Sequence, residues 1–85
     1  MFTIYALRSG KDGRIYVGMT ENLQRRLAEH NKGFVESTKS RSPFELIYYE
    51  AYKAEGDARK RESSLKLRGQ ARNQLKNRLF KSLQQ

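Results

Sequence analysis

Five side chains have the types and spacings that chemistry on a polyanion would need: Tyr5, Tyr16, Arg26, His30 and Glu62. Between them they offer proton transfer (phenol, imidazole), anion binding (guanidinium) and cation binding (carboxylate). Arg26 and His30 are four residues apart, so on a helix they lie along one edge of its buried stripe. Glu62 follows Ala58 by four residues and precedes Leu65 by three, which sets it in the same inward stripe of a second helix. A carboxylate there must be paired, protonated or bound to a cation, because an isolated buried charge is costly. Each residue also has a plainer reading. Strand tyrosines pack sheet faces, a last-turn histidine complements the helix dipole, and Glu62 has Arg59 and Lys66 near it for a salt bridge.

The surrounding sequence supplies elements to position these groups. Phe2 to Leu7 is rich in β-branched and aromatic residues and ends at a turn cluster, Ser9 to Gly13; Arg14 to Gly18 follows as a second strand. A loop of about four residues with no bulge places Tyr5 and Tyr16 on the same face, whereas a bulge at Gly10 or Gly13 would reverse that. Thr20 suits an N-cap for a helix over Glu21 to Asn31, with Gly33 at its C-terminal end. Gly33 to Pro43 reads as a loop, Phe44 to Tyr52 as the third and longest strand, and Ala54 to Arg68 as a second helix stopping at Gly69. A third helix is expected over Ala71 to Leu83, with Leu75, Leu79, Phe80 and Leu83 as its apolar stripe. The expected architecture is a single α+β domain over residues 1–85, a three-stranded antiparallel sheet flanked by about three helices.

Composition narrows the chemistry. A chain of 85 residues with no cysteine has no disulfide or thiolate metal site, and one histidine excludes a multi-histidine site. Any bound metal must therefore rest on oxygen ligands. Without an apolar run long enough to span a bilayer or a signal segment, the expectation is a soluble, cytoplasmic protein with no membrane partner. The net charge is +9, and it is uneven. Residues 1–52 carry eight basic and six acidic side chains, residues 53–85 ten and three. A basic segment of that kind is an electrostatic footprint for nucleic acid. Attraction to anionic lipid explains the charge too, but leaves an inward Glu62 without purpose.

Thr3-Ile4-Tyr5, ten residues, Tyr16-Val17-Gly18, then Asn22-Leu23, Arg26-Leu27, His30-Asn31 and the distal Glu62 with Asn73 closely resemble the GIY-YIG nuclease family. The pattern is similar to small stand-alone bacterial members related to the N-terminal incision domain of the excinuclease subunit UvrC. The resemblance implies a metal-dependent DNA endonuclease. Tyr5 or Tyr16 would be the general base, family members differing over which. Arg26 would bind the scissile phosphate, His30 would hydrogen-bond a tyrosine or the nucleophile, and Glu62 would be the one protein ligand of a single Mg²⁺ or Mn²⁺ ion. Asn73 would steady the site, with Asn77 as a rival. Lys39, Arg41, Arg59, Lys60, Arg61, Lys66, Arg68, Arg72, Lys76 and Arg78 would grip flanking phosphates, giving affinity without base readout.

Two departures from the pattern stand out. Thr3 replaces a frequent Gly, and Met19 follows the second triplet where many members carry a Lys that assists the base. Lys39 or Arg41 are the candidates to replace that cation. Without room for a targeting domain, the expected recognition is of DNA shape, such as nicks, branches or flaps, or recruitment by a partner protein. The rival reading is a non-catalytic nucleic-acid-binding module that kept the fold.

Overall fold

The computed structural model describes residues 1–67, in the order β1 (Phe2–Ser9), β2 (Ile15–Thr20), α1 (Leu23–Asn31), a 3-10 turn (Lys39–Arg41), β3 (Phe44–Tyr52) and α2 (Glu55–Leu67). The helix expected over 71–83, together with Arg68, Arg72, Asn73, Lys76, Asn77 and Arg78, lies outside the described residues. The strands form one antiparallel sheet in the order β2-β1-β3, an α+β fold as expected.

Strand alternation sorts the side chains onto two faces. Leu7 pairs with Tyr16 and Tyr5 with Gly18, so the hairpin has the parity that puts both tyrosines on one face. That face packs Tyr5, Leu7 and Phe44 with Tyr16, Leu46 and the Leu23 and Leu27 side chains of α1. The other face packs Ile4, Ala6 and Val17 against Ala58 and Leu65 of α2. With a helix on each side, β1 is buried on both faces from Ile4 to Leu7. A register shift between Ala6 and Leu7 leaves Ile47 of β3 without a partner position. Arg61 ties α2 back to β3 through Glu50, 3.0 Å away, and Tyr52 donates a second hydrogen bond to that carboxylate. Burial pushes the Glu50 carboxyl up, but those two hydrogen bonds together with the Arg61 charge and Tyr48 hold it below its ordinary range.

Helix α1 starts two residues later than expected. Thr20 still pairs with Thr3 in the sheet, so it is not free to cap. Its hydroxyl accepts from the Asn22 amide at 3.1 Å instead, forming the turn, and Asn22 caps the helix by accepting from the Arg25 amide at 3.0 Å. The other end follows expectation. Gly33 is left-handed (φ +77°), its amide donates to the His30 carbonyl, and the Phe34 amide reaches back to Glu29. This paired closure fixes the last turn of α1, the turn that carries His30.

The 33–43 segment is more than a loop. Ser9 is buried, and its hydroxyl donates to the Arg41 carbonyl at 2.5 Å while accepting from the Lys11 and Asp12 amides. The Gly10 amide donates to the Pro43 carbonyl at 2.8 Å. Asn31 clamps the start of β3, accepting from the Phe44 amide and donating to the Phe44 carbonyl. The β1–β2 turn, the 3-10 turn and the end of α1 are thereby fastened together around one corner of the sheet.

Candidate active site

Tyr5 rises from the central strand and lies across the edge strand at Gly18. A Cβ at Gly18 would fall 2.5 Å from Tyr5 Cζ. Glycine here is a space requirement, since residue 18 is ordinary extended strand. Gly18→Ala should therefore push the Tyr5 ring off His30, costing about 1–3 kcal/mol by overpacking and lowering Tm by roughly 4–8 °C per kcal/mol. A thermal melt monitored by circular dichroism checks this, and an unchanged Tm contradicts it.

The Tyr5 hydroxyl is buried and lies 3.0 Å from His30 Nε2. His30 is fully buried, and its Nδ1 is 2.7 Å from the Thr38 hydroxyl. Tyr16 completes an aromatic group, with its ring centroid 6.4 Å from that of Tyr5 and 5.1 Å from that of His30. Phe44 closes the far side of the imidazole at 5.7 Å. Complete burial removes the plainer reading of His30 as a solvated helix-end residue. Arg26, one turn earlier on α1, has its guanidinium close enough to the Tyr5 hydroxyl to act on it electrostatically, and it pairs with Glu29 at 3.3 Å.

Burial pushes the Tyr5 phenol up; the nearby Arg26 guanidinium opposes this without cancelling it, and the charges of Tyr16 and Glu62 add to the rise. His30 moves the other way, lowered by burial and then by the Arg26 charge. A histidine held neutral in the fold and free to protonate when unfolded binds fewer protons in the native state. Its stabilising contribution is complete above about pH 6.5 and is lost as pH falls below that value. Tm should thus drop between pH 7 and 5, a window above the ordinary carboxyl range, and His30→Asn should flatten that slope. Equal slopes in thermal melts of the two proteins would refute the assignment.

Glu62 stands on α2 with its side chain about one-fifth exposed, and Lys66 Nζ is 3.2 Å from its Oε2. The salt bridge named as the plainer reading is thus formed. Lys66 also lies over the Tyr16 ring, 5.8 Å from the centroid. A cleft of about 360 Å³ opens beside Tyr16, lined by Arg14, Ile15, Val17, Arg41 and Lys66. Arg41 pairs with Asp12 at 3.5 Å and packs near Phe44. Met19, by contrast, alternates onto the opposite face and packs against the α2 core. The cations bordering Tyr16 come from Arg14, Arg41 and Lys66 instead.

The other expected phosphate contacts are more scattered. Lys39 pairs with Glu36 and is absent from the Tyr16 cleft; Arg59 pairs with Glu55 on the outer side of α2, where Lys60 is also exposed. Sequence reasoning missed Thr38 and Arg14, and treated Gly18 only as part of a motif. The tight Tyr5–Gly18 cross-strand pair was available from the hairpin register; Thr38 was not.

No group of three or more His, Cys, Asp or Glu side chains gathers among the described residues. Both nitrogens of His30 are committed to hydrogen bonds and Glu29 is paired with Arg26; the carboxylate whose cation partner borders Tyr16 is Glu62, through Lys66. One carboxylate suits an ion that keeps most of its water, as Mg²⁺ does.

The chain matches the model of the GIY-YIG catalytic domain over residues 1–78 and belongs to that family of nucleases. Its relatives include UPF0213 proteins. One from Pediococcus pentosaceus is 41% identical over 68 residues, 79% of this chain and 70% of the relative. Another, from Staphylococcus saprophyticus, is 37% identical over 57 residues, 66% of this chain and 70% of the relative. The solution NMR structure of the UPF0213 protein BH0048 from Bacillus halodurans superposes with a TM-score of 0.56 at 32% identity, covering 88% of this chain and 82% of that one. No helix among the described residues is long and apolar enough to cross a membrane.

Proposed function

We propose that the chain is a divalent-metal-dependent endonuclease that hydrolyses DNA phosphodiester bonds in the cytoplasm. It would act on nicked, branched or damaged DNA in repair or recombination, by itself or recruited by a partner protein. The observation that carries this reading is the buried Tyr5–His30 hydrogen bond, with the Arg26 guanidinium close by and Tyr16 packed edge-on to the imidazole. Such a pre-formed constellation of proton-transfer and anion-binding groups is what phosphodiester hydrolysis requires.

The two tyrosines have different environments, and this separates their roles. Transferring the Tyr5 proton to His30 costs about 5 kcal/mol at ordinary pKa values of about 10 and 6.5. Both local shifts widen that gap. Tyr5 therefore keeps its proton and acts by holding Arg26 and the reacting groups in place. Tyr16 is partly exposed and borders the cationic cleft, so its phenolate is the base that meets the attacking water and takes its proton, returning to the phenol. Arg26 stabilises the charge that builds on the phosphoryl oxygens. The water oxygen bonds to phosphorus as the bond to the 3′ oxygen breaks, and the departing 3′ oxygen takes a proton from solvent, leaving a 5′-phosphate and a 3′-hydroxyl. Glu62 would hold the metal ion, which when bound supplies Lewis-acid stabilisation at the leaving oxygen. Arg14, Arg41 and Lys66 would seat a flanking phosphate, with Asn73 and the basic residues beyond Leu67 extending that grip.

The Glu62–Lys66 pair favours one rival, a non-catalytic nucleic-acid-binding module in which the carboxylate is satisfied by its own helix. Labelled single-stranded, duplex, nicked and branched DNA, incubated with Mg²⁺, Mn²⁺ or chelator, discriminates the two. The nuclease reading expects metal-dependent cutting that favours a DNA shape, with affinity falling steeply as salt rises. Salt-sensitive binding without cutting supports the module. Cutting of one defined duplex sequence alone contradicts shape recognition.

A further inference from the structure

The hydrogen-bond chain does not end at His30. Its Nδ1 meets the hydroxyl of Thr38, a fully buried residue that caps the 3-10 turn, and the same hydroxyl lies 3.4 Å from the Val35 carbonyl. We propose that Thr38 is a positioning residue that fixes the tautomer of His30, placing the imidazole proton on Nδ1 and leaving Nε2 bare to accept from Tyr5.

Donor and acceptor counting from both ends leads to this polarity. At one end a carbonyl only accepts, so the Thr38 hydroxyl proton is directed to Val35 and the oxygen is left to accept from Nδ1. At the other end the neighbouring Arg26 guanidinium can only donate, so it offers the Tyr5 proton no acceptor. If Nε2 also donated to the Tyr5 oxygen, the buried Tyr5 proton would have no acceptor among these partners, which buried polar groups rarely tolerate. The chain therefore runs Tyr5 O–H to Nε2, Nδ1–H to Thr38 Oγ1, and Thr38 O–H to the Val35 carbonyl. A neutral histidine carries one ring proton, so fixing Nδ1–H decides what Tyr5 can do. Thr38 thereby turns the Tyr5 hydroxyl inward and leaves its oxygen facing Arg26.

The protein has one histidine, so a long-range ¹⁵N–¹H spectrum of the uniformly labelled full chain reports His30 without assignment ambiguity. The expected spectrum shows a protonated Nδ1 and a bare Nε2. Thr38→Val should move the ring toward the opposite tautomer, while Thr38→Ser, which keeps the hydroxyl, should restore the original pattern. Protonated Nε2 in the unsubstituted protein overturns the proposal, as does an identical pattern in Thr38→Val. A kinetic arm rests on the nuclease reading: Thr38→Val should lower kcat on the order of 10- to 100-fold, as loss of a supporting partner typically does, with KM little changed and serine restoring it. Unchanged kcat in a cleaving Thr38→Val protein also overturns the proposal. If the unsubstituted protein shows the expected tautomer but never cuts, the proposal stands and the nuclease reading fails.

Discussion

Arg26→Ala and Glu62→Ala are each expected to abolish measurable cleavage while leaving the fold in place. For Arg26 the loss should reach about 10²–10³-fold or more in kcat, the usual effect of removing one preorganised donor to a charge-bearing oxygen. Structural damage should be small, because the Arg26 side chain is over one-third exposed and its Glu29 pair is an i,i+3 surface contact worth at most a few tenths of a kcal/mol. Glu62 reaches Tyr5 electrostatically and already faces a cation, Lys66, that lies over the Tyr16 ring. Its replacement by alanine strands no buried partner, since Lys66 is itself substantially exposed. Steady-state cleavage alongside circular dichroism separates the outcomes. Retained turnover in a variant with an unchanged spectrum would remove that residue from the mechanism.

The tyrosine variants should diverge in a way that a shared role would not produce. Tyr5→Phe deletes a buried hydroxyl and leaves His30 Nε2 without its hydrogen bond. A buried group left unsatisfied costs about 1–3 kcal/mol. Tyr5→Phe should therefore lower both Tm and activity. Tyr16→Phe removes a hydroxyl from a partly exposed ring whose packing on His30 and Tyr5 survives. Its Tm should stay close to that of the unsubstituted protein while cleavage is lost. Thermal melts and single-turnover cleavage on both variants test this together. A stable, inactive Tyr5→Phe beside an active Tyr16→Phe would exchange the two roles.

What could be read from the sequence was set by periodicity. The third strand has the expected bounds, Phe44–Tyr52, and the hairpin has the parity expected of an unbulged four-residue loop, the alternative bulge at Gly10 or Gly13 not being formed. The pairing of Arg26 with His30 came from a spacing of four. The same alternation, carried one residue further, would have shown that Met19 faces away from Tyr16. Helix α1 was started too early because Thr20 is a good cap by type, yet its backbone is already used by the sheet. Thr38 and Arg14 were invisible for another reason. Thr38 meets His30 through the path of the 33–43 segment, and Arg14 joins Lys66 only because α2 packs against β2. Neither closeness has a sequence period to announce it.

The central claim is hydrolysis of a DNA phosphodiester by this site, and one experiment meets it directly. Labelled nicked and branched DNA is incubated with the unsubstituted protein and with Glu62→Ala, with Mg²⁺ and with chelator, and the product ends are determined. The expected products carry 5′-phosphate and 3′-hydroxyl ends that appear only with the metal and the unsubstituted protein. Cutting that persists in chelator or in Glu62→Ala, or DNA that is bound and never cut, would contradict it.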